Sequence, residues 1–500
     1  MGKSQAVLGI DLGTSQVKAL VAGADGGILG RGRAGYPVEA PADGRAETDP
    51  EDWWRATVAA VREALADADV EVAGVGVDGQ MHGVVLADKD GAPVRPAILW
   101  LDRRASAEAD RYGKLPAELT APLGNLASAG MAGPILCWLA EHEPDALRAA
   151  RWALPPKDWV RLRLTGQAAT DPTDASGTLL FDLARGAWAW DLVAALGLPA
   201  DKLPPIVKST EIAGRLLPTP ASELGLAPGI PVATGAADTA AALYAAGLES
   251  APLAAEPHTA GTDSGAAAQV GRAELRRERA LLTVGTGGQW IVPEREFRPV
   301  AGTNVFAAAG GGFYRLAAAQ NVGVALDWVR GVLGASWQEL YDTAAWPWRA
   351  GTPVFLPYLA RERWDPVAAG AWSGLTLEHQ RGDLLRAALE GVAFLLRRRL
   401  DDLRAAGHHP DAALLGGGGA THPAWRQLLA DVLGLPLHPA DTSWLSASGA
   451  AGVAAAAAGM RRAGDSRVRS GYKETAAVEP RELNAASAGY ERFTHKLTMA

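Results

Sequence analysis

Twice in this chain a short apolar strand runs into a glycine–threonine turn and comes back as a second apolar strand. The first copy is Ala6 to Ile10, then Gly13-Thr14-Ser15, then Val17 to Val21. The second is Ala280 to Val284, then Gly285-Thr286-Gly287-Gly288, then Gln289 to Val292. Apolar runs of this length bounded by glycine turns read as β-hairpins. Their recurrence in both halves of a 500-residue chain, longer than one domain usually runs, predicts two weakly duplicated halves. A 48% hydrophobic content supplies the apolar mass for large cores.

Around the hairpins the pattern is mixed α/β. Helical runs are expected at Asp52 to Ala66 and Ser106 to Arg111, with a strand at Val72 to Val77. In the second half, helices are expected at Arg381 to Leu403 and Pro423 to Leu433. A strand, Ala412 to Leu415, leads there into the glycine run Gly416 to Gly419. Proline and glycine cluster at Pro218 to Pro231, and a low-complexity Ala/Glu/Pro segment follows. The division read from this is a first half, 1–247, an inserted loop, 248–279, and a second half, 280–500. The Ala-rich stretch Gly449 to Gly459 is too short to span a membrane and reads as a buried helix. The abundance of Ala, Gly and Arg reads as genome composition.

Charge and cysteine content narrow the partners. A formal net charge of −8 argues against nucleic acid or an anionic membrane and for a small ligand, with a local basic pocket for phosphates still open. A single cysteine, Cys137, excludes an intrachain disulfide and a cysteine-built metal site. The apolar run before Asp11 is too short for a signal segment, which fits the cytoplasm. A homodimer is left open.

The hairpin tips carry the chemistry. Without a Cβ a glycine turn lets backbone amides approach phosphate oxygens closely. Asp11 ends the first strand, where a carboxylate can hold Mg²⁺ through its waters, and Gly13, Thr14 and Lys18 stand where they can touch phosphate. Each feature also has a plain alternative: a Gly-Thr hairpin can be only a turn, and Lys18 a solvated strand residue.

Several motifs in order make the pattern specific: GIDLGTSQVKAL, GVDGQMHG, LWLDRR, PPKDWVRLRLTGQAATDPTDASGT, GIPVATGAADTAAAL, LLTVGTGGQW and LLGGGGATHPAWRQLLADVLGLPL. With GAWSGLTLEHQRGDLLRAALE, from Gly370 to Glu390, they span nearly the whole chain. The chain resembles the FGGY family of carbohydrate kinases, closest to its xylulose-kinase branch. The resemblance implies two ribonuclease-H-like, actin/hexokinase-type domains around a central cleft, with ATP and Mg²⁺ as cofactors and a small sugar, most of all a ketopentose, as acceptor.

It also implies roles. Gln80, Met81 and His82 match the sugar-binding segment, with Trp100 and Asp102 lining the same pocket. Gly285, Thr286 and Gly287 fall to the phosphates, and Gly417 and Gly418 to the adenosine end. Asp174 to Thr178 is a family marker with a structural part near the cleft. Asp238 is the expected general base, although it can equally cap the helix Thr239 to Ala246. The match departs from the family at Ile135, where a lysine is usual ahead of Trp138. It departs again in that Gly285 follows Asp238 by 47 positions, while Asp263, in the near-copy AGTDSGAAAQVG, precedes Gly285 by 22. Asp263 is therefore a rival base, and Asp238 is preferred because the strand Gly229 to Val232 leads into it. Gluconate, ribulose or glycerol kinases of the same family are the alternatives, with glycerol disfavoured by the absence of an Arg-Glu pair near Gln80. A non-catalytic sugar sensor or an actin-like ATPase is the alternative outside them.

Overall fold

The computed structural model describes residues 4–41, 44–249, 278–360, 362, 369–460 and 475–499. The first hairpin forms the centre of a sheet. Strands β1 (Ser4–Leu12), β2 (Gln16–Gly23) and β3 (Ile28–Gly35) make an antiparallel meander. On the other side of β1, β4 (Val70–Gly79) runs parallel to it. The sheet continues through β5 (Ile212–Arg215) and β6 (Pro231–Ala233) in the order β5-β6-β4-β1-β2-β3, and β7 (Ala236–Ala237) also pairs with β4. From Ala6 onward every residue of β1 is buried. Burial on both faces explains why its apolar run is continuous.

Helix α1 (Pro50–Leu65) covers one face. Asp49 caps it by accepting the Glu51 amide at 2.9 Å, proline opens it, and Trp53, Ala56, Ala60 and Val61 pack onto Leu8, Ile10 and Leu12. Between β4 and β5 lie α2 (Pro156–Thr165) and the short α3 (Pro172–Ser176), and α4 (Asp238–Ala246) follows β7.

The second half repeats the plan. Strands β8 (Arg279–Val284), β9 (Gly288–Glu294), β10 (Asn304–Ala307) and β11 (Phe313–Ala319) are antiparallel neighbours, whereas β12 (Ala412–Gly416) and β13 (Leu437–Pro439) run parallel beyond β8. The order is β10-β11-β9-β8-β12-β13. Helices α5 (Arg381–Ala405) and α6 (Pro423–Leu433) build its core, where the Trp290 indole donates to the Leu396 carbonyl at 2.9 Å. A meander followed by parallel strands in both halves bears out the expected pair of ribonuclease-H-like units.

The halves exchange helices. Helix α7 (Leu445–Ala457), from the second half, lies on the first sheet: Ala447, Ala451, Ala454 and Ala455 pack on Val7, Leu20 and Ala22. Helix α4, from the first half, packs its Ala240, Leu243 and Tyr244 with Leu281, Ile291 and Leu414 of the second sheet. The approach is close enough to require glycine. A Cβ on Gly76 would lie 2.1 Å from the Ala450 carbonyl oxygen, and one on Gly449 would lie 1.9 Å from that of Ala241 in α4. Among the described residues, no helix is long and apolar enough to cross a membrane.

The crossing of α4 and α7 yields a stability prediction. Gly449→Ala forces two helix backbones apart and should cost about 1–3 kcal/mol, the usual penalty for overpacking. Gly331→Ala, where a Cβ meets nothing within 4 Å, should be neutral or slightly stabilising. Urea unfolding of the two variants measures the difference, and equal midpoints would contradict the close crossing.

Candidate active site

Three aspartates stand at strand ends of the first sheet: Asp11 and Asp78 are next to last in β1 and β4, and Asp238 directly follows β7. The parallel register sets Gly9 beside Gly76, Ile10 beside Val77 and Asp11 beside Asp78. On the far side of β4, Ala236 pairs with Asp78, and Asp238 follows two residues later as the first residue of α4. Neighbouring strands lie about 4.8 Å apart, so in-register side chains of like charge are forced together. Asp11 and Asp78 are buried, and Asp238 is half-buried.

The electrostatics follow from that crowding. Burial, only partly offset by Lys18, raises the Asp11 carboxyl above the usual range. Burial and then the charges of Asp11 and Asp238 drive Asp78 well above it. Burial and the nearby Asp11 push Asp238 up to about 6, although its Oδ1 accepts the amide of Thr239 at 2.5 Å and its hydroxyl at 3.1 Å. Lys18 is the cation beside the group: its Nζ lies 3.6 Å from Asp11 and donates to the Ser443 carbonyl of the second half at 2.8 Å. A buried, under-compensated carboxylate beside another is a donor set that fits a hard divalent cation.

The first turn is braced from behind. The Gly13 amide donates to the Gln16 carbonyl at 3.1 Å, and the Tyr36 hydroxyl donates to the Gly13 carbonyl. Gln80 is buried and gives its side-chain amide to Tyr36 at 3.3 Å. The Trp100 indole, 40% exposed, donates to the Thr14 hydroxyl at 3.2 Å. In the second half the Gly285 amide closes its turn on the Gly287 carbonyl at 2.8 Å, and the carbonyls of Gly285 and Thr286 accept the amides of Gly323 and Val324. Gly417, at φ +95°, sits so close to the end of β8 that a Cβ would lie 2.2 Å from the Val284 carbonyl oxygen, whereas a Cβ on Gly418 would meet nothing within 4 Å.

His82 adopts φ +74°, an uncommon conformation for a residue with a Cβ, of the kind that clusters at functional sites. Its Nδ1 hydrogen-bonds the Gly177 carbonyl at 2.7 Å, and its ring centre lies 6.1 Å from that of Phe306. The neutral ring that donates here carries its proton on Nδ1. Met81 is buried, its sulfur 3.9 Å from the Tyr314 hydroxyl. Asp102 is also buried, and its carboxylate accepts the Ala46 amide at 2.7 Å, the Arg104 amide at 2.8 Å and the Arg104 guanidinium at 2.8 and 2.9 Å. Four donors fill that carboxylate, so the loop holds it. Asp263 lies outside the described residues.

Two features escape a reading of the sequence alone. One is Asp78, whose signal was present: the tripeptide Gly-Ile-Asp at 9–11 returns as Gly-Val-Asp at 76–78. The other is a buried network under Asp238. The Lys157 ammonium lies 2.6, 3.0 and 3.1 Å from Asp158, Asp171 and Asp174, all fully buried. Burial opposes its charge, but the three carboxylates outweigh that and hold it protonated. One ammonium shared three ways leaves Asp174 short, and burial raises its carboxyl well above the usual range. Asp171 orders the Thr173 hydroxyl at 2.6 Å, and that hydroxyl accepts the Ala237 amide at 2.7 Å, one residue before Asp238. In the same segment Ser176 accepts the Ala307 amide of the second half at 3.1 Å. Residues 171–177 therefore brace Asp238, His82 and the neighbouring half together.

Residues 6–245 match the N-terminal domain, and residues 280–458 the C-terminal domain, of the FGGY family of carbohydrate kinases. A xylulose kinase of Escherichia coli (strain K12) is 34% identical over 440 residues, which span 86% of this chain and 85% of that protein. The crystal structure of xylulose kinase from Rhodospirillum rubrum, 28% identical, superposes with a TM-score of 0.87 over 99% of this chain and 98% of that one. That of a gluconate kinase from Lactobacillus acidophilus, 22% identical, gives 0.86 over 99% and 98%, a likeness of fold alone.

The buried network generates its own test. Lys157→Met removes the one ammonium shared by Asp158, Asp171 and Asp174 and leaves only Arg161, which pairs with Asp158, as a cation among them. This should destabilise the chain by about 3–5 kcal/mol. Thermal and urea unfolding at neutral pH measure this. A loss under about 1 kcal/mol would show that the three aspartates do not depend on Lys157.

Proposed function

The chain belongs to the FGGY family of carbohydrate kinases and is a sugar phosphotransferase, and from that premise we propose that it moves the γ-phosphoryl group of ATP to the 5-hydroxyl of D-xylulose with Asp238 as general base. The carrying observation is Asp238 itself, a half-buried carboxylate raised to about 6 at the start of α4. A base works best when its pKa lies near the operating pH, ionised yet still basic enough to take a proton.

In the reaction the hydroxyl oxygen forms a bond to the γ-phosphorus as the bond from that phosphorus to the bridging oxygen breaks. The hydroxyl proton passes to Asp238, and ADP leaves with the electron pair. Aiming and deprotonating the alcohol in this way contributes ~10²–10⁴ in rate. The remaining work is positioning and charge stabilisation. Thr14 and Lys18 of the first turn and the Gly285-Thr286-Gly287 turn would hold phosphate oxygens. Gly418, open to approach, and Gly417 would face the adenosine. Mg²⁺, when bound, neutralises charge building on the phosphates, and Asp11 would hold it through its waters.

On the sugar side, Met81 offers an apolar surface and His82, fixed by Gly177, a hydrogen bond to a hydroxyl. Trp100 would lie over the same pocket while bonded to Thr14. Asp102 and Gln80 act one step back, Asp102 by holding the loop with Arg104 and Gln80 by holding Tyr36. The sequence similarity to xylulose kinases supports the choice of sugar.

Asp238→Asn retains the shape of the side chain and an oxygen for Thr239 but cannot take the proton. Turnover should fall ~10²–10⁴-fold while nucleotide binding and unfolding midpoint stay close to the parent. Asp263→Asn should be nearly silent. An active Asp238→Asn beside an inactive Asp263→Asn would transfer the role to Asp263. A panel of D-xylulose, gluconate, ribulose and glycerol, followed by ADP release, decides the acceptor, and preference for gluconate would overturn the xylulose reading.

The base also sets a pH dependence. Protonated Asp238 cannot accept, so activity should be full above its pKa and fall about tenfold per pH unit below about 6. A kcat/KM profile that stays flat down to pH 4.5 would contradict this.

A further inference from the structure

Asp78 has no part in the transfer described so far, yet its position is costly. It is fully buried, and no group other than Asp11 hydrogen-bonds either carboxylate oxygen. The cations nearby are engaged elsewhere: Lys157 sits among Asp158, Asp171 and Asp174, and Lys18 bonds Ser443 and faces Asp11. Ionising a carboxylate this deep costs several kcal/mol, a cost that a cation brought against it would offset. What faces Asp78 is a second carboxylate, Asp11, set beside it by the strand register.

We propose that Asp78 and Asp11 together form a two-carboxylate seat for the divalent cation, so that the metal is held by adjacent strand ends rather than by Asp11 alone. The proposal rests on the reading of Asp11 as the cation's anchor. Two carboxylate groups of the protein and no nitrogen or sulfur ligand select a hard cation such as Mg²⁺ or Mn²⁺. Asp238 stays outside the seat. Among the described residues, the one trio of ligand-type side chains whose atoms all lie within 4.8 Å of one another is Glu108, Glu141 and His142, so Asp11, Asp78 and Asp238 do not close up as such a trio. The base is thereby kept for the sugar hydroxyl while the pair beside it neutralises the metal.

Two carboxylates hold a cation before any nucleotide arrives, and that separates this seat from a single water-mediated contact. Mn²⁺ titrated into the full chain, followed by electron paramagnetic resonance of the free ion with and without ADP, reads it directly. The unsubstituted chain should bind one Mn²⁺ without nucleotide. Asp78→Asn and Asp78→Ala should each weaken that binding roughly tenfold or more. If both Asp78 variants bind Mn²⁺ like the parent while Asp11→Asn does not, the inference fails and Asp78 only shares a proton with Asp11. If Asp11→Asn also binds like the parent, the reading of Asp11 fails with it.

Discussion

Parallel strands that carry aspartates one residue from their ends set like charges side by side where water is excluded, and much of the rest of the structure can be understood from that cost. Asp11 and Asp78 face each other across β1 and β4, with Asp238 one strand further on. Left alone, such a group would destabilise the sheet by several kcal/mol. Carboxylates raised toward neutrality and a lysine at the rim are the ways the molecule accommodates it. On the proposed reading, the same accommodation supplies the base, Asp238, beside the carboxylates that would hold the metal. Strain of this kind is what a catalytic site retains and what a purely structural sheet discards.

The site is held from two directions. Below it, Lys157, Asp171 and Thr173 fix the backbone amide of Ala237, and Gly177 fixes His82. Beside it, α4 begins at Asp238 and runs into the second half, where it packs on Leu281, Ile291 and Leu414. Helix α7 makes the reverse crossing onto the first sheet. Any change in the angle between the halves is therefore felt at the first residue of α4. The alanines and glycines of α4 and α7, which composition alone explains as genome bias, have a local reason here, since larger residues would separate the crossing backbones.

Local features were legible. Both hairpins announce themselves by glycine turns between apolar runs, and β1 and β8 extend the expected strands by only a few residues. The helices expected at Arg381 and Pro423 start at those residues. What the sequence withheld is non-local. Asp78 lies in a quoted motif, but its meaning comes from a register with Asp11, set by pairing between strands far apart in the chain. The exchange of α4 and α7 and the three-way sharing of Lys157 are likewise products of tertiary packing. Asp102 shows the opposite case: its residue type suits a sugar hydroxyl, and the fold places Arg104 and the Ala46 amide on its carboxylate.

The central claim is that Asp238 receives the sugar proton while the neighbouring strand ends hold the metal. A crystal structure of the chain with Mn²⁺, a non-hydrolysable ATP analogue and D-xylulose tests it most directly. The account predicts the sugar 5-hydroxyl at about 2.6–3.2 Å from an Asp238 oxygen and in line with the γ-phosphorus, with Mn²⁺ density against Asp11. A hydroxyl that points instead to another carboxylate, with Asp238 bonded only to Thr239, would contradict it.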